Sequence, residues 1–256
     1  MYKERIVIKV GTNVMTNKDN RIVRPVLRNL VKQIAALYER DIMTILVSSG
    51  SVIAGKEVLG KSNIQNRTQR RQVYSAIGQP RMMRLYYNIF HEYGMKCAQV
   101  LPTKRDFSPG QHREHMISCC EGLLAEGVVP IANEDDAVSV TMSMFSDNDE
   151  LASLIAQLIN ADRLIILTDI NGLYTGDPAD ESTNLVKKVG PDEDLNKYIE
   201  DSKKSEGEGR GGMGSKLEYA QETASKNIPT YIANGKLDNT IIDIIDGKPI
   251  GTKVSL

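Results

Sequence analysis

The sequence predicts an α/β fold built on a mainly parallel sheet with helices on both faces, and three observations carry that prediction. Short β-branched runs alternate with longer segments of helical period along the whole chain; frequent alternation requires crossover connections, hence parallel strands covered on both sides. The 256 residues are enough to bury a core as one large domain, or as two lobes sharing one sheet. With 41% hydrophobic and 25% charged residues, the composition excludes wholesale disorder and a fibrous structure.

The first strand is expected at Arg5 to Val10, followed by a helix at Pro25 to Arg40 in which Val26, Leu30, Val31, Ile34 and Leu37 recur at three- and four-residue spacing. A strand at Ile42 to Val47 leads to a helix at Ser51 to Leu59 and a longer one at about Gln69 to Tyr93. Met95 to Leu101 reads as strand, Arg113 to Ala125 as helix, and Val128 to Ala132 as strand. After an acidic turn and the alternating run Val138 to Phe145 come a helix at Asp149 to Asn160 and a strand at Arg163 to Thr168. A long polar segment then reaches Ser215, with a linker-like stretch at Asp192 to Gly214. A helix near Lys216 to Lys226, a strand at Thr230 to Ala233, a helix near Asn239 to Asp246 and a terminal strand complete the chain.

Thirty-two basic against 33 acidic residues give a formal net charge of -1. With basic side chains spread along the chain there is no footprint for nucleic acid or an anionic membrane. The one short cluster, Arg67, Arg70 and Arg71, reads as a solvated helix start. No run of 18 apolar residues occurs and the N-terminal apolar run is too short for a signal segment, so a cytoplasmic protein is expected. Cys97, Cys119 and Cys120 have no metal-ligand spacing and read as reduced thiols in or near the core. His112 and His115 lack a third ligand and read as surface residues; no metal-binding residues are assigned.

In sheets of this kind ligands bind at the carboxyl ends of strands, so the residues just past each strand are the candidates for chemistry. Gly55 to Ser62 (GKEVLGKS) matches the P-loop pattern letter for letter, but it falls on a helix instead of between strand and helix. Gly207 to Gly212 contains G-x-G-x-x-G after a charged segment, which is the wrong context for a dinucleotide fold. Its glycines could cradle phosphate or form a surface loop, and the residues alone leave both open.

Better signals stand at the strand ends. Lys9-Val10-Gly11-Thr12 places a cation in an apolar strand, costly without a partner or an anion. Ser48-Ser49-Gly50-Ser51 offers hydroxyl caps and free N–H groups at a helix start. Asn133-Glu134-Asp135-Asp136 and Ser146-Asp147-Asn148-Asp149-Glu150 put six carboxylates in two turns, more than capping uses, although Asp147 and Glu150 fit a capping box. So many carboxylates call for a cationic substrate, a metal–nucleotide complex, or both. Thr168-Asp169 sets a carboxylate at a strand end. Arg210-Gly211-Gly212-Met213-Gly214-Ser215-Lys216 sets glycines and a lysine at a helix N-terminus, which suits polyphosphate.

Seven ordered segments make the chain resemble the amino-acid kinase superfamily, and its glutamate-phosphorylating members in particular: KVGT at Lys9, SSGSVIAGKEVLG at Ser48, AIGQ at Ala76, NEDDAV at Asn133, SDNDELA at Ser146, LTDINGLYTGDP at Leu167 and GRGGMGSK at Gly209. The resemblance implies an open three-layer αβα sandwich forming one domain, with residues 1–160 holding the amino acid and 161–256 holding ATP with Mg2+. It implies Lys9, Lys216 and Asp169 as catalytic residues. Ser49, Gly50, Asp136 and Asn148 would bind L-glutamate, supported by Asp147 and Asp149. Lys9, Gly11, Thr168, Asp169 and Arg210 to Lys216 would bind the nucleotide. The implied reaction is transfer of the ATP γ-phosphate to the glutamate γ-carboxylate, the first step of proline biosynthesis. A homo-oligomer (dimer or tetramer) and feedback by L-proline are also implied by the resemblance. Asp135 stands where many members have Asn, and Arg210 where Thr is common. Many members carry a C-terminal PUA domain for which this chain has no room. A sister kinase acting on N-acetylglutamate, aspartate or a nucleotide, and a catalytically silent nucleotide-binding module, are the alternatives.

Overall fold

The computed structural model describes residues 2–134, 145–195, 198 and 212–256. In chain order the elements are β1 (Glu4–Val10), α1 (Thr12–Met15), α2 (Arg24–Tyr38), β2 (Ile42–Ser48), α3 (Ser51–Leu59), α4 (Arg67–Glu92), β3 (Lys96–Val100), a 3-10 turn (Lys104–Phe107), α5 (Gln111–Ala125), β4 (Val128–Ala132), α6 (Asn148–Leu158), β5 (Arg163–Thr168), β6 (Lys188–Val189), α7 (Met213–Ser225), β7 (Thr230–Asn234), α8 (Thr240–Ile245) and β8 (Thr252–Val254). The strands form one sheet in the order β3-β4-β2-β1-β5-β7-β8-β6, parallel throughout except for the β7–β8 pair. The central strands are apolar because both faces are covered. Alternate residues of β1 divide between two buried layers, Ile6 and Ile8 joining α2 and α4 on one side while Val7 joins α5, α6 and α7 on the other. This is the expected open αβα sandwich. No helix among the described residues is long and apolar enough to cross a membrane.

Two glycines fix how α3 crosses α4. A Cβ on Gly55 would lie 1.8 Å from the Tyr74 carbonyl oxygen, and one on Gly78 would lie 1.7 Å from that of Ser51. The backbones meet where side chains would otherwise stand. Gly55 therefore belongs to helix packing, Gly60 ends α3 at φ 71°, and Lys61 lies exposed beyond it. The P-loop match has a purely structural origin.

Three expectations need correction. Cys120 is buried but Cys119, one step round α5, is exposed, so not every thiol is near the core. Arg71 is only part of a solvated helix start: it pairs with buried Glu134 at 3.4 Å. The helix expected from Lys216 begins three residues earlier, which brings Ser215 and Lys216 into its first turn. The alternating run at 138–144 lies outside the described residues.

Candidate active site

Register brings the strand ends level. Lys9 pairs with Val47 of β2 and Ile166 of β5, and Ala132 of β4 also pairs with Val47. Lys9, Ser48, Ser49, Asn133 and Thr168 therefore come to one edge of the sheet, where the first turns of α6 and α7 also arrive. The Ser49 N–H donates to the Val10 carbonyl at 3.2 Å, and the Gly11 N–H to that of Leu167 at 3.3 Å, tying the turns after β1 and β2 to the sheet.

The centre of this edge is charged and dry. Asp149, wholly buried, accepts Lys9 Nζ at 2.6 Å on one carboxylate oxygen and Lys216 Nζ at 3.2 Å on the other. Burial alone would raise the Asp149 pKa, but the two ammonium groups outweigh it and hold the carboxyl below the usual carboxylate range. Burial lowers the pKa of Lys9 from the ordinary lysine value, and the like charge of Lys216 adds to that against the pull of Asp149. The cation stranded in an apolar strand thus has its partner, one that the family resemblance casts only as a supporting residue.

Asp147 is the N-cap of α6, accepting the N–H groups of Asp149 at 2.8 Å and Glu150 at 3.0 Å. Its other oxygen accepts the Ser215 hydroxyl, which couples the start of α6 to the start of α7. The capping box is not closed as expected: Glu150 accepts from the Ser146 N–H at 2.5 Å, one residue before the cap. Asn148 donates through Nδ2 to Ser49 Oγ at 2.9 Å and to Asn133 Oδ1 at 3.0 Å.

The serines after β2 do not cap α3 as expected. Gly50 is the cap residue, in the left-handed region at φ 101°, which accounts for glycine there. Ser48 instead bonds the Tyr86 hydroxyl at 2.7 Å, and Ser51 bonds Ser75 at 3.2 Å. Thr168 is buried at the end of β5 and donates weakly to exposed Asp169 at 3.4 Å. Among the described residues, the ion pairs of Lys9 and Lys216 are to Asp149 and not to Asp169. A Cβ on Gly11 would find Lys9 Nζ at 3.7 Å, an ordinary contact, so the described neighbours do not demand glycine there. Met213, Gly214, Ser215 and Lys216 form the first turn of α7, with Gly212 as its cap. Asp135, Asp136, Arg210 and Gly211 lie outside the described residues.

Two residues missed from sequence complete the amide side: Asn133, whose Nδ2 donates to Gln79 Oε1 at 2.9 Å, and Gln79 itself. Both stand inside motifs that carry the family resemblance, AIGQ and NEDDAV, but nothing in the one-dimensional pattern pairs them. No group of three or more His, Cys, Asp or Glu side chains among the described residues could hold a metal ion, and Asp149 is already committed to two lysines.

Known proteins of similar sequence and fold bear on this geometry. The model of the amino acid kinase family matches residues 4–234. Glutamate 5-kinase of Bacteroides thetaiotaomicron is 39% identical over 241 residues, covering 94% of this chain and 66% of the relative. That of Chlorobaculum tepidum is also 39% identical, covering 97% of this chain and 68% of the relative. The chain thus spans about two thirds of the length of these relatives. Among solved structures, the isopentenyl phosphate kinase of T. acidophilum, in its product complex, superposes with a TM-score of 0.68 over 98% of this chain and 99% of its own, at 17% identity, a likeness of fold alone. Family match and relatives agree: the chain belongs to the amino acid kinase family and, within it, to the glutamate 5-kinases.

Proposed function

We infer that the chain transfers the γ-phosphoryl group of ATP to the γ-carboxylate of L-glutamate, giving ADP and L-glutamyl 5-phosphate, the first step of proline biosynthesis. The single observation that carries the reading is the buried Lys9–Asp149–Lys216 bridge at the edge where β1, α6 and α7 meet. One carboxylate holds two ammonium groups in place, and such preorganised charge is what a phosphoryl group in flight requires. The acceptor carboxylate is already ionised at neutral pH, so no general base is needed. The carboxylate oxygen attacks phosphorus as the bond to the β–γ bridging oxygen breaks, and the departing ADP oxygen carries the charge away. Lys9 and Lys216 neutralise that charge, while Asp149 sets the spacing between them.

The nucleotide side is the first turn of α7 with Thr168 and Asp169. The N–H groups of Met213, Gly214 and Ser215, which have no partner within the helix, provide an anion-binding helix start, and Arg210 and Gly211 extend it in sequence. The substrate side is Ser49, Gly50 and Asn148, with Asp136 added by family position and Asp147 holding the helix end. On this reading residues 1–160 hold the amino acid and 161–256 the nucleotide. Mg2+ accompanying ATP would supply further positive charge to the phosphates. A cytoplasmic location, a homo-oligomer and inhibition by L-proline go with the same reading; a rate at fixed glutamate that stays flat with rising L-proline removes the last of these.

The test is ADP release with Mg-ATP across L-glutamate, L-aspartate, N-acetyl-L-glutamate and UMP, with hydroxylamine trapping any acyl phosphate as hydroxamate. ADP and hydroxamate with glutamate alone support the reading. Turnover with another acceptor moves the chain to a sister activity on the same fold.

A further inference from the structure

A line of side-chain amides runs from α4 to the start of α6. Gln79 Oε1 accepts from Asn133 Nδ2 at 2.9 Å, Asn133 Oδ1 accepts from Asn148 Nδ2 at 3.0 Å, and that same Nδ2 donates to Ser49 Oγ at 2.9 Å. An amide has one acceptor oxygen and one donor nitrogen, so a line of this kind has a direction. With Gln79 accepting at one end, Asn133 is fixed with its oxygen toward Asn148. Asn148 then turns Nδ2 toward Asn133 and Ser49, which leaves Oδ1 on the other side of the amide. That Oδ1 is buried and has no hydrogen-bond partner among the described residues, although Asn148 is only 7% exposed. A buried acceptor without a donor is costly, and an ammonium or N–H group from a ligand would satisfy it. Ser49, using its oxygen to accept, keeps its own O–H to donate.

The position of Gln79 on α4 follows from the helix crossing. Its neighbour Gly78 touches the Ser51 backbone at the α3–α4 crossing, so the amide is delivered against the turn that carries Ser49. Gln79 and Asn133 also line, with Ser48, Ser49, Met82 and Tyr86, a small cavity under that turn.

We propose that Gln79, acting through Asn133, is a positioning residue that sets the Asn148 amide so that its oxygen receives the amino group of the amino-acid substrate. The proposal rests on the functional reading above and deepens it. If Gln79 lost its acceptor, Asn133 could turn over, the Asn148 amide could follow, and a nitrogen would face the substrate's ammonium.

The experiment measures KM for glutamate, KM for ATP and kcat in the full chain for the parent, Gln79→Met, Gln79→Glu, Asn148→Ala and the double variant Gln79→Met with Asn148→Ala. Loss of one oriented hydrogen bond predicts that Gln79→Met raises the glutamate KM roughly five- to tenfold while the ATP KM stays within about twofold. In the Asn148→Ala background the same change should add nothing, because its route to substrate is already gone. Gln79→Glu keeps the acceptor and should stay within about threefold of the parent, which keeps the test open if the Met variant does not fold. The proposal is overturned if the two effects simply multiply, if ATP and glutamate KM rise together, or if Gln79→Glu loses as much as Gln79→Met. A parent that turned over no glutamate would be a failure of the functional reading instead, visible before any variant is made.

Discussion

Asn148 and Asp149 are neighbours on the first turn of α6, yet they meet their surroundings by different physics. Asp149 is gripped by two cations in a dry site, and its geometry is set by charge. Asn148 is held by neutral amides and a hydroxyl, and its geometry is set by the direction of hydrogen bonds. Charge is strong and tolerant of angle, which suits stabilising a phosphoryl group whose own charge is spread over several oxygens. Amides are weaker but have a front and a back, which suits telling one end of a small substrate from the other. One helix start thus serves the reaction on one side and recognition on the other.

The contrast is broken most severely at Asp149. Asp149→Ala leaves two buried ammonium groups without a counter-charge, and removing one partner of a buried pair costs about 3–5 kcal/mol. Denaturant unfolding should show a loss of that size, together with hydroxamate formation falling by roughly 10²–10³. A variant with the stability of the parent would mean that the bridge is not closed in solution. The fold beneath both residues is the next target. Gly78→Ala forces a methyl group into the Ser51 carbonyl, and overpacking of that kind costs about 1–3 kcal/mol. Lys61→Ala, exposed beyond α3, should leave the melting temperature where it was.

How far the sequence reaches differs between the two regions. The strand-and-helix alternation located nearly every element, because hydrophobic periodicity is a local property. Lys9 was readable as a cation needing a partner, since charge inside an apolar strand is conspicuous. What paired with it was not readable: Asp149 and Lys216 lie far along the chain, and only the packing of α6 and α7 beside β1 brings them in. Gln79 and Asn133 were less visible still, because a polar residue on a helix or at a strand end is ordinary, and their meaning comes from whom they face. The missed elements α1 and β6 are four and two residues long, too short to show a period. Ser48 and Ser51 looked like caps because serine before a helix usually is one; Gly50 with its positive φ took that place, and the hydroxyls turned to Tyr86 and Ser75.

pH sharpens the comparison on the charged side. Because the Asp149 pKa is lowered in the folded protein, its stabilising contribution is complete above the ordinary carboxylate value and is lost as pH falls through the folded-state value. The gap in melting temperature between the parent and Asp149→Asn should therefore close in acid. At the alkaline end, the lowered Lys9 pKa predicts that kcat/KM declines before an ordinary lysine would titrate. An activity profile flat to that ordinary value would separate Lys9 from the transfer step.

The most direct test is hydroxamate yield with Mg-ATP and L-glutamate for the parent, Lys216→Ala and Lys61→Ala side by side. The account predicts full yield from Lys61→Ala and a loss of roughly 10²–10³ in kcat from Lys216→Ala, since only the latter removes a charge from the buried bridge. Turnover abolished by Lys61→Ala and intact in Lys216→Ala would contradict it and return the P-loop-like segment to the centre of the chemistry.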